Sequence, residues 1–145
     1  MNVLFLEDNY DAAKIKNSIE ERGFNVYPAP NIIDAEDLLE TDIQFHAAIV
    51  DLDMDKNYLS PELLEEAKDY DAGWVFYKYI LRTIPPIDKN TIILSALATN
   101  FERSMPPEEI ADVVIIDKRN TKSLELLLDA LNKIKNQLDE EVIDE

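Results

Sequence analysis

Five short apolar runs, separated by segments with helical periodicity, constrain the fold of this chain most strongly. Four of the runs are nearly continuous rather than alternating, a pattern typical of strands that are buried on both faces of a sheet. Strands that alternate with helices favour a parallel sheet covered by helices on each side, so we predict an α/β fold. The apolar runs occupy residues 3–6, 24–27, 45–50, 91–95 and 113–116.

The segments between these runs carry start and stop signals of helices. Residues 11–23 end at Gly23, which suits a C-terminal cap, and residues 31–40 begin at Asn31, a favoured N-terminal cap. Neither a linker nor a repeat divides the chain, so a single domain over residues 1–145 is predicted. Further helices are predicted over residues 73–83, over 100–110 in a segment interrupted by two prolines, and over 121–138, which Thr121 would begin.

Composition excludes several classes of function. The chain has 31 acidic against 14 basic residues and a formal net charge of −17, which repels nucleic acid phosphates and anionic membranes. The absence of cysteine excludes disulfides and thiolate metal sites, and one histidine cannot build a histidine-rich metal site. The amino terminus lacks a basic targeting start, and no apolar run approaches the roughly 18 residues of a membrane span. We expect a cytoplasmic protein that contacts neither nucleic acid nor membrane directly.

Carboxylates follow two of the predicted strands. Glu7 and Asp8 come after the first strand, and Asp51, Asp53 and Asp55 come after the third. If the strands take the flavodoxin-like order 2-1-3-4-5, the crevice at the reversal of strand order lies between strands 1 and 3, beyond their carboxyl ends. Several carboxylates that share a crevice require a raised pKa or a cation, and Mg²⁺ is a hard cation that prefers oxygen ligands. The sequence therefore predicts a Mg²⁺ site there.

Two further polar residues arrive at the same edge of the predicted sheet. Ser95 ends the fourth strand, and Lys118 follows the fifth. A hydroxyl and an ammonium group can bind the oxygens of a phosphoryl group whose remaining partner is a metal ion. Asp51, the first residue after the third strand, is the best placed nucleophile to take that group.

The sequence resembles the response-regulator receiver domain of two-component signalling, of the stand-alone type that is similar to CheY. The resemblance covers nearly the whole chain and rests on "VLFLEDN" for the first strand with its acid pair, on "GFNVYPAPNIIDAEDLLE" for the second strand and helix, and on "AAIVDLDM" for the phosphoacceptor strand. It implies a doubly wound (βα)5 sheet in the order 2-1-3-4-5.

The resemblance also implies roles for particular residues. Asp51 would be phosphorylated, and Glu7, Asp8 and Asp51 would hold Mg²⁺, with the main-chain carbonyl of Asp53 completing the metal ligands. The switch hydroxyl would be that of Ser95. The phosphate-binding lysine would be Lys118.

Three features depart from the pattern of the family. Its phosphoacceptor loop usually reads D-x-x-M-P-x-x-D-G, whereas here Gly73 lies 22 positions after Asp51, which predicts an insertion over about residues 55–70 after strand 3. Arg119 follows the lysine where the family usually has proline, and Ile115 stands where it often has an aromatic residue. The insertion should contain a short helix that Ser60 caps. It either covers the phosphorylation crevice as a lid or only packs on the neighbouring helix.

The expected function is therefore that of a receiver domain that accepts and slowly loses its own phosphoryl group, without turning over a substrate. A histidine kinase or phosphotransfer protein would phosphorylate it, and a downstream protein target would bind it. Two alternatives stay open. The stretch "AAIVDLDMDK" also resembles the D-x-D signature of haloacid-dehalogenase-type phosphohydrolases, and a receiver fold can serve as an interaction module that is never phosphorylated.

Overall fold

A computed structural model of the chain describes residues 1–8 and 12–143. Its described part contains one sheet of five parallel strands in the order β2-β1-β3-β4-β5, so the predicted flavodoxin-like topology is confirmed. The strands are β1 Asn2–Leu6, β2 Asn25–Ala29, β3 Ala47–Val50, β4 Thr91–Ser95 and β5 Val113–Asp117.

Helices connect these strands. The α-helices are α1 Ala12–Glu20, α2 Ile32–Leu39, α3 Pro61–Glu66, α4 Ala72–Tyr79, α5 Ala98–Ser104 and α6 Ser123–Ile143. Short 3₁₀ turns occupy Lys56–Tyr58, Leu81–Thr83, Ile87–Lys89 and Pro107–Glu109. Among the described residues, no helix is both long enough and apolar enough to cross a bilayer.

Strands β1, β3 and β4 are buried on both faces because their side chains alternate between two cores, whereas the edge strands β2 and β5 are only partly buried. Val3 and Phe5 of β1 point into a core that also contains side chains of α1 and α6, whereas Leu4 and Leu6 point into a core with side chains of α2, α4 and α5. This two-sided burial is why β1, β3 and β4 read as continuous apolar runs rather than as alternating patterns.

Several predicted element ends are correct and others are wrong. The Asn31 side chain caps α2 by accepting a hydrogen bond of 2.8 Å from the Asp34 N–H, and Gly23 takes a positive φ of 91° after α1. The last helix begins at Ser123, two residues after the predicted Thr121, because residues 121 and 122 form a turn. The strand predicted from residue 45 begins at Ala47, since its pairing with β1 starts there.

The predicted short helix of the insertion is α3. The Ser60 hydroxyl accepts a hydrogen bond of 3.4 Å from the Leu63 N–H, and a proline occupies the first turn. The insertion is partly anchored in the core on the α4 side of the sheet, because Leu59 and Ala67 are buried in it. Leu63 packs against this core, whereas Leu64 is 40% exposed.

Candidate functional site

The carboxylates of Glu7, Asp8 and Asp51 lie together at the carboxyl edge of the sheet. Because Leu6 pairs with Val50 in the β1–β3 register, the residues that follow these two positions leave the sheet side by side. One oxygen from each of the three carboxylates lies within 4.8 Å of the others. Glu7 and Asp51 are buried and Asp8 is exposed, so the cluster is open to solvent on the Asp8 side.

The Lys118 ammonium group contacts two of these carboxylates. Nζ of Lys118 donates a hydrogen bond of 2.9 Å to Oδ2 of Asp51 and forms an ion pair with Oε2 of Glu7. The Lys118 N–H also donates to the Ser95 carbonyl at 3.0 Å, which fixes the start of the loop after β5 against the end of β4. From there the side chain of Lys118 reaches past β4 to the end of β3.

These contacts shift the pKa of both Glu7 and Lys118. Burial raises the pKa of Glu7; the hydrogen bond from Lys118 opposes this, the charge of Asp51 adds to it, and the net change is upward. Burial alone would lower the pKa of Lys118, but its hydrogen bonds to Glu7 and Asp51 outweigh burial and raise it. The ammonium group is therefore held in its charged form and offsets the repulsion between the two buried carboxylates.

Both oxygens of the Asp51 carboxylate accept hydrogen bonds. Oδ2 accepts from Lys118, and Oδ1 accepts from the Asp53 N–H at 3.0 Å. The Asp53 side chain is exposed and lies outside the carboxylate cluster. The contribution of the Asp53 main-chain carbonyl to a metal site stays a prediction. Asp55 caps the turn Lys56–Tyr58 instead, by accepting a hydrogen bond of 2.9 Å from the Asn57 N–H.

Ser95 lies at the same edge of the sheet, at the end of β4. It is fully buried, and its hydroxyl oxygen accepts a hydrogen bond of 3.2 Å from the Leu97 N–H. This hydroxyl therefore contacts the loop that leads into α5 and can respond to a change in the conformation of that loop.

Gly73 lies close to the backbone of Asp51, a contact that the sequence did not predict. Gly73 lies in the first turn of α4, and a Cβ atom placed on it would collide with the Asp51 carbonyl oxygen and come within 2.8 Å of both the Asp51 carbonyl carbon and Leu52 Cα. The Gly73 N–H donates a hydrogen bond of 3.1 Å to the Leu52 carbonyl. Absence of a side chain at Gly73 thus allows α4 to begin directly against the backbone that carries Asp51. The only signal in the sequence was the short "DAG" match to the family pattern.

Comparisons with known proteins give matches among solved structures. The receiver domain of the Francisella response regulator 1452 is 25% identical, with a TM-score of 0.65, and the match covers 94% of this chain and 98% of that one. A CheY-like receiver domain protein from Methanospirillum hungatei JF-1 is 16% identical, with a TM-score of 0.65 and coverage of 96% and 97%. This is the fold of a response-regulator receiver domain.

The receiver fold also occurs in a response regulator protein from Burkholderia pseudomallei that was solved with a phosphorylated aspartic acid, a calcium ion and citrate. It is 22% identical, with a TM-score of 0.59, and the match covers 99% of this chain and 74% of that one. No family model and no curated protein matches the chain. The predicted receiver fold is thus confirmed from structure, while the roles of individual residues remain to be tested.

Proposed function

We propose that this chain is a phosphoacceptor receiver domain in two-component phosphorelay signalling and that Asp51 accepts the phosphoryl group. The observation that carries the proposal is the arrangement at the carboxyl edge of a receiver fold. There the Asp51 carboxylate lies beside two further carboxylates and accepts a hydrogen bond from Lys118. An acid cluster with one partly buried lysine can bind a divalent cation and a phosphoryl group together.

The donor set fits Mg²⁺. Three carboxylates offer oxygen ligands within 4.8 Å of one another, and the exposed Asp8 leaves room for the water ligands that Mg²⁺ usually keeps. Glu7, Asp8, Asp51 and the Asp53 main-chain carbonyl would hold the ion. When bound, it would supply positive charge that offsets the negative charge of the phosphoryl oxygens.

The proposed transfer exchanges one bond to phosphorus for another. A carboxylate oxygen of Asp51 forms a bond to phosphorus while the bond from phosphorus to an imidazole nitrogen of the donor protein breaks, and its electron pair returns to that nitrogen. That nitrogen takes up a proton, and the phosphoryl oxygens bring their own negative charge to the Asp51 side chain, where Lys118 stays within reach of it. The Ser95 hydroxyl then gains a new acceptor, and the loop that it contacts reports the change to α5.

The partners follow from this chemistry and from the charge of the chain. A histidine kinase or a phosphotransfer protein would donate the phosphoryl group, and a downstream protein would bind the phosphorylated form. A net charge of −17 disfavours direct binding to nucleic acid. The domain would accept and slowly lose its own phosphoryl group rather than turn over a substrate.

The proposal is tested by intact mass after incubation with Mg²⁺ and acetyl phosphate. We expect the wild type and an Asp42→Asn control, changed at an exposed loop position, to gain one phosphoryl group, and Asp51→Asn to gain none. A folded wild type that gains no mass from any donor would favour the interaction module. Repeated release of inorganic phosphate from a phosphate ester would favour the phosphohydrolase.

A further inference from the structure

The Asp117 carboxylate joins two elements next to Lys118. Its Oδ2 accepts a hydrogen bond of 2.5 Å from the Thr99 hydroxyl in the first turn of α5, and one of 2.9 Å from Nη2 of Arg119. Its Oδ1 accepts from the Arg119 N–H at 2.8 Å and from Nε of Arg119 at 3.1 Å. One carboxylate at the end of β5 thus binds both the helix after β4 and the loop after β5.

Lys118 is the residue enclosed by this arrangement. The bond from the Arg119 N–H to the Asp117 side chain closes a turn with Lys118 at its centre. The loop therefore takes its shape from an aspartate and an arginine at the place where the family usually has a proline after the lysine. The Asp117 side chain is 19% exposed and Arg119 is 64% exposed, so water screens the ion pair with Arg119, whereas the bond from the Thr99 hydroxyl is partly buried.

We propose that Thr99, Asp117 and Arg119 form a clip that positions Lys118 for Asp51 and couples the orientation of the lysine to the position of α5. The coupling to phosphorylation rests on the proposed function, whereas the positioning of the ammonium group does not.

The geometry supplies a short path for this coupling. Thr99 lies four residues after Ser95, at the start of α5, so a change in the loop that the Ser95 hydroxyl contacts displaces the Thr99 hydroxyl. Asp117 is bonded to that hydroxyl and is the immediate chain neighbour of Lys118. The hydrogen bonds from Arg119, followed by the one from Thr99, lower the pKa of Asp117, so the carboxylate stays charged and able to hold both partners at neutral pH. Movement of α5 is thereby transmitted to the lysine.

The first test measures how firmly Lys118 is held, without any phosphorylation. Each lysine is acetylated with a limiting amount of an amine-reactive reagent, and rates are read for individual residues by peptide mass spectrometry. Lys118 is only 21% exposed and forms two ion pairs, so it should react slowly, and the exposed Lys14 on α1 serves as the internal reference.

Thr99→Val removes the hydroxyl that donates to Asp117, and Asp117→Asn removes the carboxylate charge. We expect each to raise the acetylation rate of Lys118 relative to Lys14 by about fivefold, the change in population that one lost hydrogen bond produces. Thr121→Val makes the same replacement at an exposed loop position and should leave the ratio unchanged. An unchanged ratio in both clip variants overturns the proposal, and so does an equal rise at all lysines, because Lys118 then gains no reactivity relative to Lys14.

The second test asks whether Asp117 acts through Lys118. Phosphorylation rates with acetyl phosphate are compared for wild type, Asp117→Asn, Lys118→Met and the double variant. We expect Asp117→Asn to slow phosphorylation when Lys118 is present and to have no effect on the rate when Lys118 is replaced by methionine. Equal slowing in both backgrounds would show that Asp117 does not act through the lysine. If the wild type accepts no phosphoryl group, the proposed function fails, and the acetylation rates still decide the clip.

Discussion

The replacement of Gly73 by alanine tests how closely helix α4 approaches the phosphoacceptor. The added methyl group would meet three backbone atoms at the end of β3: the carbonyl oxygen and carbon of Asp51 and the Cα of Leu52. Backbone atoms cannot rotate away as a flexible side chain can. To make room, either the start of α4 or the segment that carries Asp51 must therefore move.

The expected loss of stability follows from two opposing effects. Alanine is favoured over glycine within a helix by about 1 kcal/mol, whereas an extra methyl group in a packed site costs typically about 1–3 kcal/mol. The close approach to the Asp51 and Leu52 backbone places Gly73→Ala near the upper value, so we expect a net loss of about 2 kcal/mol. For a chain of this size that corresponds to a fall in melting temperature of about 4–8 °C.

The other glycine of the chain provides a matched control. Gly23 has a φ of 91°, and a Cβ atom there meets nothing within 4 Å, so Gly23→Ala is destabilised only by the left-handed backbone, by about 1–2 kcal/mol. Urea unfolding followed by the fluorescence of Trp74, the single tryptophan, gives both values. Only Gly73→Ala should also slow phosphoryl uptake on Asp51. Wild-type stability of Gly73→Ala, or uptake equal to that of Gly23→Ala, would refute the reasoning.

Three further predictions concern the site and the opposite edge of the sheet. Mg²⁺ at a hundred times its dissociation constant should stabilise the wild type by about 2.7 kcal/mol and Asp8→Ala much less; equal shifts in melting temperature would contradict the metal site. Ser95→Ala should lose about 1 kcal/mol, because the Leu97 N–H loses its acceptor, yet it should still be phosphorylated; a loss of uptake as complete as in Asp51→Asn would exclude the switch role. Burial lowers the pKa of His46 below 6.5, and its Nδ1 accepts a hydrogen bond of 3.0 Å from the Asn2 N–H. Neutral His46 therefore stabilises the fold above the pKa that histidine has in the unfolded chain, and this stabilisation is lost as the pH falls through the lower pKa of His46 in the folded state. Between about pH 7.5 and about pH 5, the free energy of unfolding should fall more for wild type than for His46→Gln. Equal falls in the free energy of unfolding of the two proteins would contradict this role of His46.

In the insertion, local sequence signals predicted the helix but not how the segment packs on the core. Ser60 followed by proline and good helix formers predicted α3, and the helix occurs there, because capping and helix propensity act within a few residues. Burial of Leu59 and Ala67 in the core depends on where the chain returns to α4, which no local pattern encodes. Whether the insertion also covers the crevice as a lid stays a prediction. The lifetime of the aspartyl phosphate would test it in a variant with a short glycine-serine link.

The sequence by itself determined the sheet and the edge at which chemistry can occur. Apolar runs and caps are local properties, and the carboxyl ends of parallel strands meet at one edge whatever the loops do, so Glu7, Asp8 and Asp51 could be placed at that edge; their sharing of one crevice followed once the strand order was assumed. Strand order came from the resemblance to a family. Predicted element ends were wrong where pairing between strands, or a turn before a helix, decides the boundary, as at Ala47 and Ser123.

Only the tertiary structure decided which groups pair at that edge. The sequence assigned Glu7 to a metal ion, whereas the fold also places it against Lys118, a residue 111 positions away. It likewise brings Gly73 against the Asp51 backbone and Thr99 against Asp117. Each of these contacts depends on the packing of whole helices on the sheet and on the side-chain conformations that this packing allows. Those are long-range properties, and the spacing of residues along the chain does not contain them.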